Sequence, residues 1–267
     1  MAFSLPQIWR ETRPPRSSRT RIVLRPITIS PVLAGDLYRA AFAHIIEAWR
    51  AALPQLEAEY ARTLAELVQD APADLSATMS AVEQGIAARA IAVTVALRRW
   101  ADLAERHHRA RWRGAVLSAT KVDLATMIGA EAARITLEVT LERNVALVAS
   151  VAQETRTRIA SEVFQGFTER RPARDIGKAI SEAVEMSRRR ALNIAADQTS
   201  KLAAQLNVER AREAGISQYE WMSSHKKFPR AEHAARDGKV FTYGTPAGDE
   251  PGMAIHCGCV ARAVLEQ

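Results

Sequence analysis

The sequence predicts a mainly α protein: a long-helix bundle with an extended N-terminal arm and a small α+β module at the C-terminus. Three observations lead there. Apolar residues recur at three- and four-residue steps through residues 32–168, the spacing of one helix face. Aromatic residues make up only 6% of the 267 residues while alanine is used heavily, which suits close-packed helices better than a thick sheet core. Beyond Gly215 the pattern changes to short β-like runs divided by glycine and proline turns. The expected domains are 1–31, 32–168 and 169–267.

The first segment carries Pro6, Pro14, Pro15, Pro26 and Pro31, and six arginines against the single acid Glu11. It reads as an extended basic arm that neither forms a helix nor buries a core by itself. Arg21 to Ser30 is β-branched enough for a short strand, restricted by Pro26 to a sheet edge. The N-terminus lacks an apolar signal core, because Arg10, Arg13 and Arg16 interrupt it, and no window supplies the ~18 apolar residues of a membrane span. A soluble protein made in the cytosol, with no membrane partner, is expected.

In the second segment Leu33, Leu37, Phe42, Ile45, Ile46, Trp49 and Leu53 share a helix face that Pro54 kinks or ends, and a second piece covers Gln55 to Val68. Asp74 is placed as N-cap of a long helix through Leu75, Met79, Val82, Ile86, Val93, Leu97 and Trp100, close to the 3.5 spacing of a coiled-coil seam. Gly114 interrupts it. A further helix runs from Leu117 towards Phe167, with a break near Gly129 or Asn144. These stripes are read as core. His107 and His108, among Arg106, Arg109, Arg111 and Arg113, offer either a phosphate patch or, preferably, a solvated C-terminal helix turn.

The third segment starts as a helical hairpin: Pro172 opens a short helix, and Ser187 caps a second that stops at Gly215. With Arg188, Arg189 and Arg190 at the second start, this suggests an alternative function, DNA binding of helix-turn-helix type. The second helix also carries Asn193, Asp197, Gln198, Thr199 and Lys201, a polar face suited to docking on the module that follows. In that module three short strands are expected at Ser217 to Met222, Lys239 to Tyr243 and Cys259 to Leu265, with a tight turn at Asp237-Gly238. Trp221 and Phe241 anchor its core.

The chemistry-bearing residues gather here. His233, His256, Cys257 and Cys259 are the donor types of a zinc site. The C-x-C spacing is tighter than the usual C-x-x-C and there is no second cysteine pair, so the preferred reading is two small buried thiols on one strand face with His256 in a turn. Structural zinc at those four residues is the alternative, and no other cofactor is expected. A Cys nucleophile with His233 as base is disfavoured because the sequence places no orienting acid. P-loop, G-x-G-x-x-G, G-x-S-x-G and H-E-x-x-H motifs are absent, so no catalytic residue and no small-molecule substrate is assigned.

The order of motifs resembles the bacteriophage Mu F-like head morphogenesis family. I-A-A-D-Q-T-S-K-L at Ile194 to Leu202 leads to A-G-I at Ala214 to Ile216 and to Tyr219 and Trp221. Arg230 and His233 precede A-A-R-D-G-K-V-F at Ala234 to Phe241, and P-G-M-A-I-H-C-G-C closes it at Pro251 to Cys259. The motif residues are thus Trp221, Arg230, His233, Asp237, Gly238, Pro251, Gly252, Cys257 and Cys259. Departures from the family pattern fall at Ala196, at Lys226-Lys227 and at Gly258.

The resemblance implies a minor capsid protein inside the phage head, acting in prohead assembly at the portal vertex. Its implied partners are the portal protein and the major capsid or scaffold protein. Some related modules precede toxin domains; since Gln267 follows the module directly, none is expected here. The composition accords with a further partner. Thirty-seven Lys plus Arg against 30 acids give a net charge of +7, and residues 10–25 of the basic arm are the expected site of non-specific DNA contact.

Overall fold

The computed structural model describes residues 3–12, 20–66, 72–246 and 248–266. In chain order its elements are α1 (Leu5–Thr12), β1 (Arg21–Val23), α2 (Pro31–Ala41), α3 (Ala43–Glu66), α4 (Pro72–Ala87), α5 (Ala90–Thr120), a 3-10 turn at Glu131–Ala133, α6 (Arg134–Glu169), α7 (Ala173–Glu213), β2 (Gln218–Met222), α8 (Ala231–Ala235), β3 (Val240–Thr242) and β4 (Val260–Glu266). The protein is mainly α, with one four-stranded antiparallel sheet ordered β1-β4-β2-β3. Its chain divides into two compact units, each assembled from separated segments. One comprises residues up to Ala34, Ala101–Thr140 and Ala196 onward; the other comprises Gly35–Trp100 and Leu141–Ala195.

The second unit is helical throughout. Trp49, Leu56 and Tyr60 of α3 are fully buried, as are Ile159 of α6 and Ile176 and Ile180 of α7. Tyr60 stacks on Phe167 with ring centroids 4.5 Å apart, and its hydroxyl donates to the Arg171 carbonyl at 2.9 Å. α3 does not end at Pro54 but continues through it, since Trp49, Ala52, Leu56 and Tyr60 carry one buried face across it. The break falls instead at Phe42. Asp74 lies in the first turn of α4 and is not its N-cap. The apolar stripe from Leu75 to Trp100 is divided at Ala88-Arg89, and α5 then passes Gly114 without interruption. Asn144 sits inside α6, so the break comes only around Gly129.

The expected hairpin at 169–215 does not exist: α7 is one helix of 41 residues. Ser187 does not cap a second helix, because its hydroxyl donates back to the Ala183 carbonyl at 3.0 Å and so satisfies itself inside the helix. Arg188 and Arg190 pair with Glu185 and Glu154, each at 2.8 Å. Without a turn there is no helix-turn-helix, and that alternative is set aside.

The first unit holds the sheet, and the N-terminal segment is built into it. Residues 5–12 form a helix despite Pro6, since the first turn leaves its N–H groups unpaired in any case. Leu5 and Trp9, one turn apart, are buried with Ile22, Leu24 and Ile27 against Trp112, Val116, Ile128, Ile216 and Leu265. β1 is an edge strand, as expected, and pairs with β4 through Ile22 and Leu265. Arg21 pairs with Glu220 at 3.2 Å and with Glu266 at 3.6 Å. The described part of this segment is therefore no free arm; Arg13 and Arg16 lie outside the described residues. The three module strands fall where the sequence put them. α7 ends as expected at Gly215, with Gly215 N–H to the Arg212 carbonyl and Ile216 N–H to the Ala211 carbonyl.

A buried polar network ties α5 to α7. Arg210 has no exposed surface; it pairs with Glu105 and with Glu213, and donates to the Gly129 carbonyl at 2.8 Å. His108 is fully buried, which removes both expectations for it, since it lies mid-helix and is neither a patch nor a solvated turn. Its Nε2 lies 3.0 Å from Asn207 Oδ1, and Asn207 in turn donates to the Ile27 carbonyl at 3.1 Å.

Burial holds the His108 imidazole down at about 3, with the Asn207 bond opposing and the nearby Arg210 charge assisting. The unfolded chain regains a pKa of about 6.5, so this group's contribution is complete above that value and is lost as pH falls towards 3. Between about pH 7.5 and about pH 5 the protein should lose about 2 kcal/mol from this residue. Urea unfolding at both pH values should show that loss in the wild type and its absence in His108→Gln.

Candidate metal centre

The module is wrapped around one histidine. β2 alternates, so that Tyr219 and Trp221 face its small core and Gln218, Glu220 and Met222 are only half-buried. Trp221 contacts Phe241 edge-on at 5.9 Å and His233 edge-on at 5.1 Å, so both expected anchors are in place. The Asp237-Gly238 turn forms as predicted. Gly238 has φ +71° and its N–H donates to the Trp221 carbonyl at 2.8 Å, while Asp237 Oδ1 accepts the Ser223 N–H at 2.6 Å. The extended Arg230 leads into α8, whose middle residue is His233.

His233 is 2% exposed. Its Nδ1 lies 3.4 Å from Cys257 Sγ and 3.6 Å from Cys259 Sγ, and these three donor atoms fall within 4.8 Å of one another. On the other side of the ring, Nε2 lies 3.0 Å from Asp249 Oδ1. Asp249 accepts from Arg236 Nη1 at 2.5 Å through its second oxygen, and the Arg236 guanidinium lies over the Trp221 ring at 5.0 Å. That bond, then the one to His233, keeps the Asp249 carboxyl below its usual range. An ionised Asp249 takes the Nε2 proton as a hydrogen bond and leaves the Nδ1 lone pair turned to the two sulfurs.

The cysteines are free and buried. Their thiols share a proton: the bond from Cys259 pulls Cys257 down, and donating it pushes Cys259 up.

α7 fixes the loop that carries them. Asp197, 8% exposed, accepts the His256 N–H at 2.6 Å through one oxygen and pairs with Lys201 at 2.7 Å through the other. The polar face of α7 therefore docks on the module as expected. Pro251 and Gly252 are buried in the same seam. Arg230 and Lys226 bind the Ile255 and His256 carbonyls at 2.9 and 2.8 Å.

Of the four residues named as zinc donors, the fold thus brings together His233, Cys257 and Cys259. His256 is exposed and contributes its backbone N–H to Asp197. Sequence reasoning missed Asp249, the acid that orients His233; its only signal was a carboxylate in the turn-rich stretch before Pro251. Cysteine, histidine and aspartate in line could also suggest a nucleophile. Yet both thiols are buried, and the cavity beside them, lined in part by Thr199, Ser200 and Gly252, holds about 70 Å³, against ~300–1,000 Å³ for a ligand pocket.

Two glycines test this packing. At Gly252, φ is +85° and a Cβ would stand 2.8 Å from the Ala204 Cβ, whereas at Gly238, φ is +71° with open space around it. Gly252→Ala should therefore cost about 2–4 kcal/mol, strain plus overpacking, and Gly238→Ala about 1 kcal/mol. Urea unfolding of the two variants should rank them in that order.

Comparison with known proteins bears on the same stretch. Residues 153–262 match the family model described as Phage Mu protein F like protein. A Haemophilus influenzae protein described as uncharacterized is 33% identical over 125 residues, which is 46% of this chain and 28% of that relative. No solved structure matches. The matched family segment contains the C-terminal part of α6, all of α7 and the whole His233, Cys257 and Cys259 cluster, and over this segment the chain is similar to the Mu F-like proteins.

Proposed function

We propose that this protein is a minor head protein of a phage or prophage, acting in prohead assembly at the portal vertex and residing inside the head. The match over residues 153–262 carries the proposal. The geometry supports a docking role over catalysis, since the reactive side chains are enclosed and held by hydrogen bonds from three directions. The partners are the portal protein and the major capsid or scaffold protein. Phe228 and Ile255, 85% and 66% exposed, lie in segments joined by the Arg230 and Lys226 bonds. With Lys226, Lys227 and Arg230 they form an apolar and basic surface of the kind that docks on a protein partner.

Contact with packaged DNA is the second part of the reading. Arg10 and Arg25 are exposed near the ends of the basic segment, and such contacts weaken with salt. Among the described residues no single helix is long and apolar enough to cross a membrane.

Co-expression with a phage portal protein should give a complex that survives affinity purification and co-sediments with procapsids. Phe228→Glu with Ile255→Glu should weaken it at least about tenfold, the usual scale for disrupting a buried apolar anchor. Absence of any association with portal or procapsids would overturn the reading. So would intrinsic turnover, in particle-free protein, that Cys257→Ser or His233→Ala abolishes.

A further inference from the structure

We propose that His233 Nδ1, Cys257 Sγ and Cys259 Sγ hold one thiophilic divalent cation of the zinc class, and that this ion is the structural clamp of the C-terminal module. Two independent observations carry it. The first is spacing. With metal–sulfur and metal–nitrogen bonds of about 2.3 and about 2.0–2.1 Å at tetrahedral angles, each S···N edge should be about 3.6 Å. The observed edges are 3.4 and 3.6 Å.

The second is the outer arrangement. A metal-bound histidine characteristically gives its other ring N–H to a carboxylate, which fixes the tautomer and strengthens the donor. Asp249 occupies that place on His233 and is itself fixed by Arg236.

Binding is balanced by loss of two thiol protons: the cation takes two thiolates and one neutral imidazole, whose remaining proton stays on Nε2 towards Asp249. Among the described residues no fourth His, Cys, Asp or Glu places a donor within the cluster, so water completes the coordination. The ion would join α8 to the loop ahead of β4, two segments with few apolar residues of their own to hold them. The inference does not rest on the head-protein reading, and either can fail alone.

The test uses the full chain, purified reduced with zinc supplied. Elemental analysis should find about one equivalent of zinc per chain. Replacement by cobalt should give intense visible bands of a tetrahedral ion and a near-ultraviolet sulfur-to-cobalt charge-transfer band. Zinc should protect both cysteines from iodoacetamide, and a chelator should lower the thermal midpoint. Asp249→Asn should bind one equivalent with affinity about 10- to 100-fold weaker; His256→Ala should bind as the wild type does. Cys257→Ser with Cys259→Ser should bind none.

The cobalt spectrum of the wild type needs no variant to fold. Its lack of a sulfur charge-transfer band would overturn the proposal, as would wild-type protein that takes up no zinc or cobalt. Full occupancy in the double cysteine variant would do the same, and loss of the ion in His256→Ala would overturn the three-donor assignment.

Discussion

Arg210 is the constraint on which the sheet-bearing unit depends. A guanidinium with no exposed surface is tolerable only when its charge is paired, and removing one partner of such a pair typically destabilises by about 3–5 kcal/mol. Here Glu105 reaches it from α5, Glu213 from its own helix, and the Gly129 carbonyl from the loop between α5 and α6. One turn earlier on α7, Asn207 joins buried His108 to the Ile27 carbonyl. Three chain segments distant in sequence are thus registered on two turns of one helix. The apolar core of Trp9, Trp112, Ile216 and Leu265 fills around that register.

Three turns further up α7 the same helix positions the cysteine loop. Asp197 divides its oxygens between Lys201 and the His256 amide, and Gly252 approaches so closely that it has no room for a side chain beside Ala204. The loop is thereby held against a long, continuous helix, which explains how a segment with so little hydrophobic mass keeps His233 and two thiols within 4.8 Å. Trp221 provides the floor, Arg236 lies over it, and Asp249 connects Arg236 to His233. Each member is fixed by at least two neighbours, a rigidity suited to a docking element.

Local signals were read well where a residue's own backbone chemistry decides the structure. Asp237-Gly238, the helix end at Gly215 and the three module strands all follow from turn chemistry or period-two patterning, and all are found in place. Local signals misled where packing overrules them. Pro54 and Gly114 lie inside helices, Ser187 satisfies its hydroxyl within α7, and the proline-rich N-terminal stretch supplies Leu5, Trp9 and Ile22 to a core whose members outside that stretch begin only at Trp112. No window of sequence shows those partners.

By itself the sequence determined the mainly helical class, the motifs shared with the Mu F-like proteins and the residue types that gather in the tail, since composition, periodicity and glycine geometry act over a few residues. Only the tertiary structure decided which donors converge. The backbone of His256 is taken by Asp197 while its side chain stays exposed, and Asp249 is carried to His233 by a turn. Convergence depends on where segments far apart in the chain are brought by the cores they bury, and spacing along the chain does not encode it.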